Sequence, residues 1–213
     1  MKIAFTHQKG GSGKTTSCIN VAGYLVLLGK KVLVVDLDPQ GCATSGLGID
    51  KSLVSGDDEA RMSICETRSG VHVALHLPDG FDLKKGLEEV ENYYDYILID
   101  PPPGAVAETL ALSDFAIVPL DGLFALEGLE GLAKTLQELN GKVKPMMAIF
   151  NRVRLFGNWS VGVDIEGFAS IFPVPFSSKV HMSQVKGLPL SHLAPNSRVG
   201  RAYKKITQEV LRW

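Results

Sequence analysis

Long hydrophobic runs are missing from this sequence. The most apolar stretch, Val21 to Leu28, holds eight residues and ends at Gly29-Lys30-Lys31, far short of the roughly 20 residues that span a bilayer. The amino terminus, Met-Lys-Ile-Ala-Phe-Thr, turns polar too early for the apolar centre of a secretory signal. Cysteine is scarce: Cys18, Cys42 and Cys65 are an odd set with no C-x-x-C pair, which excludes a disulfide framework and a zinc ribbon. Neither charge sign is in excess, with 22 Lys and Arg against 23 Asp and Glu, so the chain as a whole is not a polycation. The five histidines share no metal-site spacing, and no Ser-His-Asp set can be assembled. These absences predict a cytoplasmic protein with reduced thiols and no stable membrane association.

What is present is ordinary globular composition, 45% hydrophobic and 21% charged over 213 residues, enough for one domain over 1–213. Short β-branched runs fall at Lys2–Thr6, Val32–Asp36, Val71–Leu75, Tyr96–Asp100, Phe115–Pro119 and Met146–Asn151, with a further one at Ile171–Pro175. They read as strands buried on both faces. Between them lie helical spacings such as Cys18/Val21/Ala22/Leu25 and Leu126/Leu129/Leu132/Ala133/Leu136. Alternation of this kind predicts an α/β fold, a mostly parallel twisted sheet with helices on both faces. Gly48 to Gly70 shows weak periodicity, and no element is predicted there.

The first strand runs into Gln8-Lys9-Gly10-Gly11-Ser12-Gly13-Lys14-Thr15-Thr16, with an apolar helix from about Thr15 to Leu28. Strand, glycine-rich turn and helix start make a phosphate cradle: backbone N–H groups converge on phosphate oxygens, and the helix dipole favours the anion. Lys14 supplies a charge to the β and γ phosphates, and the Thr15 hydroxyl sits where it would ligate Mg²⁺. The usual first glycine of a P-loop is replaced by Gln8, and a second lysine, Lys9, follows it. Two carboxylates, Asp36 and Asp38, close the second strand ahead of Pro39-Gln40-Gly41, at the sheet end where α/β proteins bind ligands. Tyr96-Ile97-Leu98-Ile99-Asp100 is an apolar strand closed by an acid, a Walker B arrangement that would hold Mg²⁺ through water.

Lys-Gly-Gly-x-Gly-Lys-Thr-Thr resembles the deviant P-loop of the ParA/MinD family of ATPases. The resemblance covers most of the chain and continues in Asp36-x-Asp38-Pro-Gln-Gly and Asp100-Pro-Pro-Pro. It implies that residues 9–16 bind ATP, with Lys9 reaching the nucleotide of a second copy, so that ATP joins two subunits. It implies further that Asp38 orients the attacking water and stands with Thr15 and Asp100 around the metal, while Asp36 helps organise nucleotide and metal. Asn151-Arg152 resembles the family's adenine contact, Val174-Pro175-Phe176 the second wall of the base pocket, and Phe115–Gly131 the interface strand, loop and helix. Cys42 stands where the family often has Asn.

From Lys179 onward seven basic residues face one acid, Glu209, so this segment carries +6 and the rest −7. Val199, Tyr203, Ile206 and Val210 form a helical apolar stripe, with Arg198, Arg201 and Lys205 on another face. The segment resembles the last helix of ParA partition proteins, which implies nonspecific DNA binding through Lys179, Arg198, Arg201 and Lys205. Phosphate contacts of that kind are salt-dependent and indifferent to sequence. The expected protein is an ATPase partitioning DNA or other cargo, nucleoid-associated, stimulated by a ParB-like or other cargo-binding partner. A membrane-cycling MinD-like ATPase is an alternative that needs an amphipathic extension, an iron–sulfur carrier ATPase would need cysteines after Asp100, and a metabolic P-loop enzyme sits poorly with Lys9 and the basic segment.

Overall fold

The computed structural model describes residues 1–50, 62–75, 80–121, 138, 144–153 and 168–213. Its core is an eight-stranded sheet in the order β3-β4-β2-β5-β1-β6-β7-β8. The strands are β1 (Lys2–Phe5), β2 (Val32–Asp36), β3 (Ser63–Glu66), β4 (His72–Leu75), β5 (Tyr96–Asp100), β6 (Phe115–Asp121), β7 (Lys144–Val153) and β8 (Ser170–Pro175). All neighbours pair in parallel except β3, which runs antiparallel to β4 at one edge. Every residue of β2 and β5 is buried, the reason these strands read as continuous apolar runs rather than alternating ones.

All seven strands expected from the sequence are present, with ends shifted by a few residues. The eighth, β3, lies inside the Gly48–Gly70 stretch for which no element was expected. It is four residues long, and none of them is fully buried. It is specified by the Thr67–Gly70 turn that folds it back onto β4, with the Gly70 amide donating to the Thr67 carbonyl at 2.9 Å and the Thr67 amide to the Val71 carbonyl at 2.9 Å. Four residues are too few for a period to show. The expected helical spacing at 126–136 lies outside the described residues.

Among the described residues the helices are α1 (Lys14–Leu27), α2 (Cys42–Gly46), α3 (Leu83–Val90), α4 (Val106–Ala111), α5 (Ser178–Lys186), α6 (Leu190–Leu193) and α7 (Arg198–Val210). One core layer packs α1 and α7 on a face of the sheet through Cys18, Ile19, Val21, Leu25, Val199, Tyr203, Ile206 and Val210. The opposite face is covered by α4 over Ala4, Ala116 and Val118, and by Leu87 of α3 over Leu33, Val35, Ile97 and Ile99. Burial of each large side chain contributes about 1.5–3 kcal/mol, so α7 is bound to the sheet domain by its stripe rather than by its weak intrinsic helix tendency. Ser197 caps α7, its Oγ accepting from the Gly200 amide at 3.0 Å. Among the described residues no helix is long and apolar enough to cross a membrane.

Candidate nucleotide site

The glycine loop ends where α1 begins. Gly13 caps α1 in a left-handed conformation, without a side-chain cap and without an acid in the first turn. The first-turn N–H groups and the positive end of the helix dipole are thereby left to an outside anion. At Gly13 (φ 98°) a Cβ would lie 2.4 Å from Asn151 Nδ2, so only glycine fits beneath that side chain. Lys14 is buried to 7% exposure. Burial pushes its ammonium below the usual lysine value, while the Asp100 and Asp38 carboxylates pull it back up. Lys9, by contrast, is exposed at the rim, with its backbone amide donating to His7 Nδ1 at 3.0 Å.

The acids gather at the carboxyl ends of β2 and β5. Asp36 and Asp100 are direct cross-strand partners. Both Asp36 oxygens are engaged: Oδ2 accepts from the Thr44 amide at 2.8 Å and the Thr44 hydroxyl at 2.7 Å, and Oδ1 from the Asp38 amide at 3.3 Å. Burial raises the Asp36 pKa, these hydrogen bonds oppose the shift, and the Asp38 carboxylate adds to it. Asp36 therefore fixes the 38–44 loop onto the sheet. Asp38 is half-buried, with Oδ1 accepting from the Gln40 amide at 2.9 Å.

Asp100 is different. It has no exposed surface, and among the described residues neither carboxylate oxygen has a donor in hydrogen-bond geometry. Burial pushes its pKa up to about 7; a nearby Thr15 hydroxyl and Lys14 pull downward, and Asp36 and Asp38 push upward. The Thr15 hydroxyl is close enough to influence the carboxylate but falls short of a proper hydrogen bond to it. A buried carboxylate left without a partner is unfavourable unless a cation completes it. Asp100, the Thr15 hydroxyl and the nearby Asp38 are all hard oxygen donors, so this corner fits Mg²⁺ held by few protein ligands and several waters.

Beside the loop opens a cavity of about 290 Å³. Gly11, Ser12, Gly13 and Thr16 form its phosphate side, and Asn151, Arg152, Val174, Pro175 and Phe176 its outer side. Gly11, Ser12, Gly13 and Thr16 of the predicted P-loop therefore share one space with the predicted base-pocket residues, while Lys9, Gly10, Lys14 and Thr15 lie outside its lining. Asn151 and Arg152 also reach inward, donating to the Ser12 and Gly11 carbonyls at 2.8 and 2.7 Å. The predicted DNA contacts lie elsewhere: Lys179 on α5 and Arg198, Arg201 and Lys205 on α7 are all exposed.

The profile described as "CobQ/CobB/MinD/ParA nucleotide binding domain" matches residues 3–190. The chain belongs to this family. A chromosome-partitioning ATPase Soj of Treponema pallidum is 32% identical over 98% of the chain and 96% of its own length. The Soj of Thermus thermophilus is 32% identical over 99% and 95%. The MinC:MinD cell division complex of Aquifex aeolicus superposes with a TM-score of 0.83 at 22% identity, covering 100% of the chain and 96% of that one, a likeness of fold.

The sequence reading missed the Ser177, Ser178, Val180 and His181 part of the cavity wall of this CobQ/CobB/MinD/ParA-family site, and three further residues. Gln184 of α5 donates from Nε2 to the Thr16 hydroxyl at 3.2 Å, Tyr203 of α7 lines the cavity, and Asp121 pairs with Arg152. For Asp121 a signal existed, because Phe115–Leu120 is, like Tyr96–Ile99, an apolar strand closed by an acid. Nothing in the pattern marks Gln184, and Tyr203 is marked only as part of an apolar stripe; the placement of both at the cavity depends on how α5 and α7 pack.

Proposed function

We propose that this chain is a Soj/ParA-type partition ATPase: it binds MgATP in the cavity beside the glycine loop, pairs with a second copy while ATP is bound, and holds DNA through its terminal basic helix. One observation carries the reading. Helix α7 presents Arg198, Arg201, Lys204 and Lys205 outward, while Tyr203 on its inner face lines the nucleotide cavity. The names of the Soj relatives as chromosome-partitioning ATPases support it.

The chemistry follows from the residues. The N–H groups of residues 10–16 and the Lys14 ammonium hold the β and γ phosphates. When bound, Mg²⁺ offsets charge on the phosphate oxygens, and Asp100 and Thr15 are the groups that would hold it. Asp38, half-buried on the loop that Asp36 fixes to the sheet, orients the attacking water. Lys9, exposed at the rim, reaches the γ phosphate of the partner copy and neutralises charge as it spreads over the transferring group. Pairing doubles the basic face, so DNA affinity rises steeply with ATP through effective concentration. A cargo-bound, ParB-like activator stimulates hydrolysis and resets the cycle.

The deciding experiment is a titration of nonspecific DNA in ATP and in ADP at rising salt. Tight binding confined to ATP and lost with salt is expected. Binding indifferent to nucleotide and salt would overturn the partition reading, and recruitment by anionic vesicles in ATP would replace it with a membrane-cycling one.

A further inference from the structure

Asn151 and Arg152, consecutive at the end of β7, grip consecutive carbonyls of the glycine loop: Asn151 Nδ2 donates to Ser12 O at 2.8 Å and Arg152 Nη2 to Gly11 O at 2.7 Å. The same Arg152 nitrogen donates to Asp121 Oδ2. Asp121 and Asn151 are cross-strand partners in the β6/β7 register. Next to them the β7/β8 pairing slips, with Phe150 opposite Pro173 but Val153 opposite Pro175, leaving one extra residue on β7. Such a bulge re-aims a side chain. Arg152 sits in it with φ 56°, the one described non-glycine residue with a positive φ. An arginine held in that region is strained, and here the strain turns its guanidinium back over the loop.

The direction of these bonds matters more than their strength. A trans peptide unit is planar, with its carbonyl and N–H on opposite sides. Tying the Gly11 and Ser12 carbonyls to Arg152 and Asn151 turns the N–H groups of Ser12 and Gly13 the other way, to the face of the loop opposite those side chains. The loop is thereby set for an anion before one arrives, which spares the ordering cost of binding.

We infer that Asp121 is a positioning residue of the phosphate cradle: by holding the Arg152 guanidinium on the Gly11 carbonyl it keeps the loop N–H groups aimed at a polyphosphate, whatever base is attached. The inference deepens the nucleotide-site reading above and rests on it. An exposed ion pair adds little to global stability, and this one has an Arg152 side chain 54% exposed, so its contribution shows in binding rather than in melting.

The test is calorimetric binding of MgATP, MgGTP and magnesium tripolyphosphate to wild type, Asp121→Asn, Asp121→Glu, Arg152→Gly and the Asp121→Asn/Arg152→Gly double variant, with melting temperatures of each ligand-free protein. Asp121→Asn is expected to weaken all three ligands by a similar factor, about tenfold as for other lost outer-layer partners, with an unchanged melting temperature and recovery in Asp121→Glu. Arg152→Gly, which also relieves the positive φ, gives the same loss, and adding Asp121→Asn to it changes nothing further, since both act through one contact. Unchanged ATP affinity in Asp121→Asn, a loss confined to ATP, or additive losses in the double variant would overturn the inference and leave the nucleotide site standing. A wild type that binds none of the three ligands would remove the nucleotide reading and this one together.

Discussion

Tyr203 and Ser17 are both fully buried, and their hydroxyls meet at 3.4 Å between the terminal basic helix and the helix that follows the glycine loop. Two further bonds join these layers: Leu190 N donates to Asn20 Oδ1 at 2.8 Å and the Tyr24 hydroxyl to Pro195 O at 3.4 Å. The basic face is thus carried on the same core as the phosphate cradle.

The Tyr203 phenol gives a pH prediction. Burial raises its pKa from 10.0 to about 12, with the Ser17 hydrogen bond opposing. Above pH 10 the unfolded chain loses this proton first, so the group's contribution is complete below pH 10 and is lost as pH rises to 12, about 3 kcal/mol in all. Tyr203→Phe should therefore lose less stability than wild type between pH 10 and 12 in urea titrations. Parallel curves would contradict the assigned burial.

Asp100→Asn should raise the melting temperature of the ligand-free protein at pH 8, because it removes an ionised carboxylate buried without a partner. The same change should weaken the Mg²⁺-dependent part of ATP affinity by roughly 10–100-fold. Calorimetry with and without Mg²⁺ separates the two effects.

Lys9→Ala should leave nucleotide affinity within about threefold and stability within about 0.5 kcal/mol, as for an exposed side chain. It should abolish the ATP-dependent doubling of mass in light scattering. Persisting ATP dimers would exclude a role for Lys9 across the two-fold.

Arg198→Glu and Arg201→Glu, both at exposed positions on α7, should weaken DNA binding uniformly across sequences. Loss of a phosphate contact reduces the slope of log affinity against log salt by about 1. ATP binding and fold should be unaffected, which circular dichroism and calorimetry would check.

Much of this site was legible in the chain because its chemistry is local. Residues 8–16 carry their own spacing, and Asp36 and Asp100 each close an apolar strand, so strand, loop and helix start were readable without tertiary information. The inner stripe Val199, Tyr203, Ile206 and Val210 was legible as well, since a helical period needs only one segment. Strand β3 was not, because four residues, three half-buried and one exposed, hold no period and its pairing is dictated by β4. Gln184 and Asp121 escaped for a related reason: their partners Thr16 and Arg152 are distant in sequence, and only the packing of α5 and the β7 bulge brings each pair together.

By itself, then, the sequence determined the parallel α/β architecture, the phosphate loop and the separation of an acidic body from a basic terminal segment, since all three are written in composition and short-range period. Tertiary structure alone decided which groups are satisfied. Thr44 occupies Asp36, so that acid holds a loop, while among the described residues none donates to Asp100 in hydrogen-bond geometry, which leaves it open to the cation proposed above. Two aspartates of identical chemistry at matching strand ends differ in role because hydrogen-bond satisfaction depends on neighbours that only folding supplies.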